Sequence, residues 1–361
     1  MSRRILFLVS GLGLGNATRC FAIIERLAQA GADVAVATSD NGLWFFSDKP
    51  QVGHLAAIPS LRYGKQAGRI SVAKTLAGLA DHARCLAEAE RTIAATIDRL
   101  RPQVVVTDSV YAVRAARRAG VPLVAINNAD MVMGGLRRFR DWPLSILPQG
   151  LVVEGGDAVF HRLMPDLVIS PRLVRTVPPP DGHLRPVSPI VRSACQPDAG
   201  ATGPARRVAI MLSGSVFGTP VHLSRHHPGL DIDILGRPAP TGLPAVDGVT
   251  YHGKQRESLA LLRQADLLVI NGGYSAVAEA LALKKPVVVV PVPRHAEQWV
   301  NGRIVEDLGV GLMATEDGLE DAMDAALRDI DRWRRGFARL PPAIDGAAAA
   351  ARLILDAGSD R

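Results

Sequence analysis

The chain alternates between short, unbroken apolar runs and longer stretches whose apolar residues recur at helical spacing. ILFLVS comes first. GLGLGN follows it, then ATRCFAIIERLAQAG, whose apolar positions fall at intervals of three and four. VAVATS is the next run. Helical spacing returns over 71–100, after which VVVTDS, YAVRAARRAG and PLVAIN repeat the alternation. Runs apolar at every position belong to parallel strands covered by helices on both faces.

Between 171 and 204 the pattern stops. Prolines cluster in VPPPDG, RPVSP and QPDAGATGP, the composition of a linker. The alternation restarts with RVAIMLSGS, DIDILG, VTYHG, SLALLRQA, DLLVING, YSAVAEALAL and PVVVVPV, followed by helical regions. The prediction is an α/β fold of two doubly wound, Rossmann-like parallel-sheet domains, 1–170 and 205–330, joined by the linker 171–204. A helical region, 331–361, is expected to pack back on the N-terminal domain. Ligands of open parallel sheets bind beyond the carboxyl ends of the strands. Two such sheets facing one another place the expected site in the cleft between them.

The bulk numbers agree with two domains, since 361 residues with 48% hydrophobic content exceed one compact core. Net charge is +7 and uneven: 23 Lys+Arg against 15 Asp+Glu through Pro189, and 19 against 20 after it. The positive first half points to an anionic partner, either a phosphorylated ligand or a membrane face. Aromatic content of 4% without a base-stacking motif argues against nucleic acid. Cys20, Cys85 and Cys195 are widely spaced, with no CxxC, as in reduced thiols of a cytoplasmic protein. ILFLVS after Arg3 and Arg4 is too short for a signal-peptide core or a membrane span.

GLGLGN sits where a dinucleotide fingerprint would, between a strand and a helix. The third glycine of G-x-G-x-x-G is replaced by Asn16, and the first acid after VAVAT is Asp40, later than the usual spacing of about 20 residues. No bound cofactor is expected. The stronger signal is DLLVINGGYSAVAEALALKKPVVVVPVPRHAEQWVNGRIVEDLGVG, 266–311. A buried strand ends at Asn271, Gly272 and Gly273 let backbone approach a ligand, and a helix starts near Tyr274. Its free N–H groups and dipole suit a diphosphate. Glu279 follows about one turn, roughly 5–6 Å, along the axis, a suitable step to an adjoining ribose. Glu297 and Gln298, in PVPRHAEQ, return to the same sheet edge with groups that grip vicinal hydroxyls.

This stretch resembles the donor-binding region of GT-B glycosyltransferases, especially the MurG-like and UDP-glycosyltransferase families (glycosyltransferase family 28/1-like). The resemblance implies a nucleotide-sugar donor, UDP-linked, as substrate. It places the diphosphate on Gly272, Gly273, Ser275 and Ala276, the ribose on Glu279, and the sugar on Glu297 and Gln298, with Asn301 following. Asn271, Tyr274 and His295 flank these positions and join the donor-binding set. His252 and Gly253 match the base-contacting segment, and Ser213, Gly214 and Ser215 the second phosphate turn. GLGLGN, with Gly13 and Gly15, matches the glycine loop that faces the transferring sugar and the acceptor.

Relatives often carry His where this chain has Asn16, which cannot remove a proton. Asn16 is expected to cap a helix starting at Ala17 or to hold a substrate hydroxyl. The base is therefore assigned to Asp108, at the end of VVVTD, ahead of His54, His82 and His161. Retaining members commonly show Glu eight residues before the ribose Glu. Asn271 occupies that position, which favours inversion by direct attack of an acceptor hydroxyl. No metal site is expected. Basic and apolar residues mix in LRYGKQAGRI and GGLRRFRDWP; the resemblance to MurG-like members, which act on lipid carriers, implies an acceptor that is lipid-linked or a small molecule and a peripheral membrane contact through the basic N-terminal domain. Two other readings are a nucleotide-sugar hydrolase of the kind used in pseudaminic acid synthesis, and a catalytically inert sugar-nucleotide-binding accessory protein.

Overall fold

Val, Ile and Leu fill the unbroken apolar runs, and in the computed structural model these runs are parallel strands. The structure describes residues 2–59, 65–66, 69–70, 79–177, 179, 181–197, 203–212, 221–242, 244–342 and 344–358. The chain divides into two units. The first comprises Met1–Asp130, Asp157–Arg192 and Ile344–Arg361, and the second Met131–Gly156 and Ser193–Ala343.

The first unit holds β1 (Arg4–Val9), β2 (Asp33–Thr38), β3 (His54–Ala57), β4 (Lys65–Gln66), β5 (Arg69–Ile70), β6 (Val104–Asp108), β7 (Leu123–Ile126), β8 (Leu167–Pro171) and β9 (Leu184–Val187). β4 and β5 form an antiparallel ribbon, and the other seven a parallel sheet in the order β3-β2-β1-β6-β7-β8-β9. Alternate residues of β1 feed opposite faces. Ile5, Phe7 and Val9 enter one core with the helix Leu14–Gln29, while Leu6 and Leu8 enter another with Ile93 and Ile97 of the helix Leu79–Leu100. This is why the strand has no polar position to mark its period.

The second unit holds β10 (Arg207–Met211), β11 (Asp231–Leu235), β12 (Val249–Gly253), β13 (Leu267–Ile270), β14 (Val287–Val289) and β15 (Gly311–Met313). They form a parallel sheet in the order β12-β11-β10-β13-β14-β15. Its core gathers Val208, Ile210, Ile232, Ile234, Val269 and Val288 with Met323 and Ala326 of the helix Leu319–Arg328.

Three boundaries differ from the sequence expectation. β9 lies inside the stretch expected to be a linker. It is a four-residue edge strand containing Pro186, and an edge is where a strand tolerates proline. The segment 131–156 belongs to the second unit, although it lies within the expected N-terminal domain. Val132, Phe139 and Ile146 pack there with Ala296, Trp299 and Val300 of the helix Ala296–Asp307. At Gly135 a Cβ would lie 2.2 Å from Val300 Cγ1, so glycine sets that approach. The C-terminal helical region is split. The helix Ile330–Gly336 stays with the second unit, while Gly346–Ala357 packs Ala347, Ala350, Ala351 and Ile354 into the first unit's core beside Leu14–Gln29.

Candidate active site

In the second unit β13 stops at Ile270, and the turn Asn271–Gly272–Gly273 leads into the helix Tyr274–Ala282. The two glycines have different jobs. Gly272 has φ +83°, and a Cβ there would come 2.7 Å from Val289 Cγ1 and 2.8 Å from the backbone oxygen of Gln298. Its lack of a side chain is required by the protein itself. Gly273 has φ −60° and ψ 144°, and a Cβ would meet nothing within 4 Å. Among the described residues open space therefore lies over the residue that caps the helix, and Gly273 itself brings no side chain to that amino end. The positive end of the helix dipole is presented to that space.

Two buried amides hold the turn. Asn301 Nδ2 donates to the Gly272 carbonyl at 2.9 Å, and Asn271 Nδ2 to the Val290 carbonyl at 2.9 Å. Asn271, at the position where retaining relatives carry an acid, thus ties β13 to the end of β14. Asn301 Oδ1 is buried with no hydrogen bond among the described residues, so one acceptor of this clamp is unused there.

The loop before the helix Ala296–Asp307 is anchored from two sides. Gln298 Oε1 accepts the Val292 N–H at 2.8 Å, and Gln149 Oε1 accepts the Ala296 N–H at 2.8 Å. Gln149 also donates to Glu154 Oε1 at 2.9 Å. Arg294 in this loop has φ +70°, a backbone strain that such a tight fold must hold. The Gln298 amide nitrogen makes no hydrogen bond among the described residues, and the side chain is half-buried. Glu297 is half-buried one position before it. Burial lowers the His295 pKa below the ordinary imidazole value, against the pull of Glu297.

Glu279 lies in the helix Tyr274–Ala282 with only 5% exposure, and its backbone oxygen accepts from Cys195 Sγ at 3.5 Å. Ser275 and Ala276, in the first turn, are half-buried. His252 is drawn into the sheet. A register shift between β11 and β12 at Ile234/Leu235 brings its Nε2 to 2.7 Å from Asp233 Oδ1. Gly253 closes β12 with φ +62°, and its carbonyl accepts the Gly236 N–H. Ser213, Gly214 and Ser215 lie outside the described residues.

At the carboxyl edge of the first sheet, Val9 stands level with Thr38 and Asp108, so the loops after β1, β2 and β6 are neighbours. Gly11 is needed for packing, since a Cβ would lie 1.8 Å from the Ser39 carbonyl oxygen. Asn41 pins the loop by donating from its backbone to the Gly11 carbonyl and from Nδ2 to the Leu12 carbonyl. Gly13 has nothing within 4 Å of a would-be Cβ and is the cap of the helix Leu14–Gln29. That helix begins three residues before Ala17. Asn16 accordingly sits inside its first turn and does not cap it, and its half-exposed amide makes no hydrogen bond among the described residues. Gly15 lies in the same turn.

Asp108 does not fit the role of base. It is fully buried, with Arg19 Nη2 2.6 Å from Oδ1 and Arg19 Nε 2.9 Å from Oδ2. Ser109 Oγ donates to Oδ1 at 3.3 Å and Cys20 Sγ to Oδ2 at 3.3 Å. Burial, then the Asp108 charge, raises the Cys20 pKa, with Arg19 opposing. A carboxylate that already compensates a buried guanidinium has no open face for a substrate proton, and protonating it would remove the negative charge that faces Arg19. Of the other candidates, His54 Nε2 lies 2.5 Å from Arg99 Nη2. His161 is buried: Nδ1 donates to the Asp157 carbonyl at 2.7 Å, Nε2 has no hydrogen bond, and desolvation lowers its pKa despite Asp157. The side chain of His82 lies outside the described residues.

Sequence reasoning missed Gln149 and Arg237. Gln149 fixes the start of the helix carrying Glu297 and Gln298, from 147 residues away, so no local pattern announces it. Arg237 follows β11 at the carboxyl edge, is 1% exposed, and donates to Glu316 Oε1 at 2.7 Å. The signal available was a cation directly after a strand-ending glycine.

The sequence model described as glycosyl transferase family 1 matches residues 3–138 and 247–329, more than half of the chain. An uncharacterized glycosyltransferase of Methanosarcina acetivorans is 24% identical over 99% of this chain and 97% of its own. A UDP-N-acetylglucosamine--N-acetylmuramyl-(pentapeptide) pyrophosphoryl-undecaprenol N-acetylglucosamine transferase of Nocardioides sp. is 29% identical over 75% of this chain and 74% of its own. Among solved structures, the Streptomyces sp. SF2575 glycosyltransferase SsfS6, complexed with thymidine diphosphate, superposes with a TM-score of 0.58 at 18% identity, covering 98% of this chain and 99% of its own. The two parallel sheets with their helices are the GT-B fold.

Proposed function

Given that the chain belongs to glycosyl transferase family 1, we propose that it transfers a sugar from a UDP-sugar to an acceptor hydroxyl with inversion at the anomeric carbon. The observation that carries the reading is Gly273: a helix amino end whose cap residue has no side chain, with open space over it among the described residues, held by the buried amides of Asn271 and Asn301. Such an end stabilises a diphosphate both as it binds and as it leaves, when negative charge builds on it. Glu279, five residues after Tyr274 in the same helix, takes the ribose hydroxyls. The amide nitrogen of Gln298 and the carboxylate of Glu297 take the sugar. Support for the uridine nucleotide comes from the Nocardioides relative, whose name contains a UDP-sugar.

At the first sheet, the half-exposed Asn16 amide orients the acceptor hydroxyl at the amino end of the helix Leu14–Gln29. Arg19 and Asp108, one turn below, hold that helix to β6 and act as positioning residues. Inversion is favoured because Asn271 stands where a retaining enzyme carries an acid and is committed to the Val290 carbonyl.

The test is turnover of a panel of UDP- and TDP-sugars, with and without small-molecule and lipid acceptors, followed by NMR of the product's anomeric centre. The reading expects release of UDP that depends on acceptor. Replacing Glu279 with Ala should weaken UDP binding by about 1.5–3 kcal/mol, the worth of a charge-assisted hydrogen-bonded contact. Unchanged UDP affinity in Glu279→Ala would remove the ribose assignment. Retention of configuration would remove direct displacement.

A further inference from the structure

The start of the helix Ala296–Asp307 is held by a side chain from a distant part of the sequence. Ala296 is fully buried, and its backbone N–H is one of the four that a helix leaves without an internal partner. That N–H donates to Gln149 Oε1 at 2.8 Å, whereas the local cap residue, His295, makes no side-chain cap bond. Gln149 thus does for this helix what a capping side chain does elsewhere. Its other end is committed too: Nε2 donates to Glu154 Oε1 at 2.9 Å, and Glu154 is buried.

The backbone is shaped for this contact. At about 100° per residue, side chains five apart on an α-helix stand about 140° from one another. The piece that follows Gln149, Gly150–Glu154, is a π-turn, and its wider winding brings Gln149 and Glu154 together. Such turns concentrate at functional sites. Gly150 lets the turn lie against the helix: a Cβ there would meet Leu136 Cδ1 at 3.2 Å and Ala296 Cβ at 3.4 Å. Ile146 packs beside it with Ala296, Trp299 and Val300.

What Gln149 holds is the loop that carries the sugar assignments, since Glu297 and Gln298 directly follow Ala296. Gln298 closes this loop through the Val292 N–H, and Arg294, at φ +70°, keeps it under strain. A strained loop keeps its shape only where its surroundings fix it, and Gln149 supplies a bond from outside. Without that bond a buried N–H loses its acceptor, so the loop shifts and takes Glu297 and Gln298 with it. The turn before the helix Tyr274–Ala282, where the diphosphate is assigned, is held separately by Asn271 and Asn301. Asn301 lies more than a turn past Ala296, beside the buried Trp299 and Val300, and stays in place when the loop moves.

We infer, resting on the donor reading above, that Gln149, with Glu154 behind it, is a positioning residue for the donor's sugar: it sets affinity for the sugar portion of a nucleotide sugar and not for the nucleotide. The experiment is calorimetric titration of UDP, UDP-glucose and UDP-N-acetylglucosamine into the wild type, Gln149→Met and Gln149→Glu/Glu154→Gln, with melting followed by circular dichroism. Methionine keeps the length of the side chain and neither of its hydrogen bonds. The exchanged pair keeps both, because a carboxylate at 149 accepts from the Ala296 N–H and from the amide at 154. Gln149→Met should bind UDP as the wild type does and the UDP-sugars about tenfold more weakly, and the exchanged pair should recover most of that loss. A wild type that binds none of the three ligands would contradict the donor reading itself, and one that binds UDP alone would remove the sugar assignments. A wild type that binds them all, beside a Gln149→Met protein that loses UDP and UDP-sugars equally or loses neither, would leave the donor reading standing and overturn the role of Gln149. An exchanged pair as weak as Gln149→Met would overturn it as well, because the two bonds would not be the cause. So would failure of Gln149→Met to fold, because the side chain would then hold the whole unit and not the loop.

Discussion

Replacing Asp108 with Asn separates structure from catalysis at the first sheet. The substitution keeps volume and one hydrogen-bond acceptor but removes the charge facing Arg19, itself only 5% exposed. Removing one charge of a buried ion pair costs about 3–5 kcal/mol, because the remaining charge loses its counter-charge. In a unit of about 150–250 residues each kcal/mol moves the melting temperature by about 2–4 °C, so a loss of about 6–20 °C is expected. Thermal and urea unfolding by circular dichroism measure it. The double variant Arg19→Met/Asp108→Asn should recover part of the loss, since it removes both charges of the pair. Any fall in transfer should then follow the fraction of folded protein. An Asp108→Asn protein that melts like the parent yet transfers about 10²–10⁴-fold more slowly would refute this reasoning and restore Asp108 as the base.

Other outcomes follow from the same contacts. Gly135→Val places atoms against Val300 in the packing of 131–156 on the second unit and should cost about 1–3 kcal/mol by denaturant unfolding; a neutral result would show that the helices separate freely. Gln298→Ala should weaken nucleotide-sugar binding while leaving free UDP nearly unchanged, and equal losses in calorimetry would move Gln298 to the nucleotide. His161 has a folded pKa below its unfolded one, so the unfolded chain takes up its proton first as pH falls. Its share of stability is therefore present above about pH 6.5 and declines below it, and His161→Gln should flatten the stability profile on that side. A profile unchanged by the substitution would exclude that linkage.

What could be read from the sequence depended on the range of the interaction. The turn at Gly272 and Gly273 was legible because strand end, glycine pair and helix start are contiguous. The division of labour between the glycines was not, since Val289 and the Gln298 carbonyl crowd only one of them. Asp108 was misread because a carboxylate ending a strand looks the same whether solvent or Arg19, 89 residues earlier, lies opposite. Of the two readings of Asn16, cap or holder of a substrate hydroxyl, the cap was suggested by an apolar period that begins at Ala17 and fails because the helix already starts at Leu14 behind Gly13. β9 was hidden by its proline. The return of Gly346–Ala357 to the first unit was expected, but the docking of 131–156 on the second rests on Phe139, Trp299 and Val300, which carry no local mark.

The account centres on a diphosphate held in the open space over Gly273, and one substitution addresses it without disturbing the fold. Gly273 has an ordinary extended backbone and, among the described residues, no atom within 4 Å of a would-be Cβ, so Gly273→Val should melt like the parent. The measurement is calorimetric titration of UDP into both proteins. A Val side chain occupying the phosphate position should weaken binding by at least about tenfold, or about 1.4 kcal/mol. Equal UDP affinity in a folded Gly273→Val protein would place the diphosphate elsewhere and contradict the account.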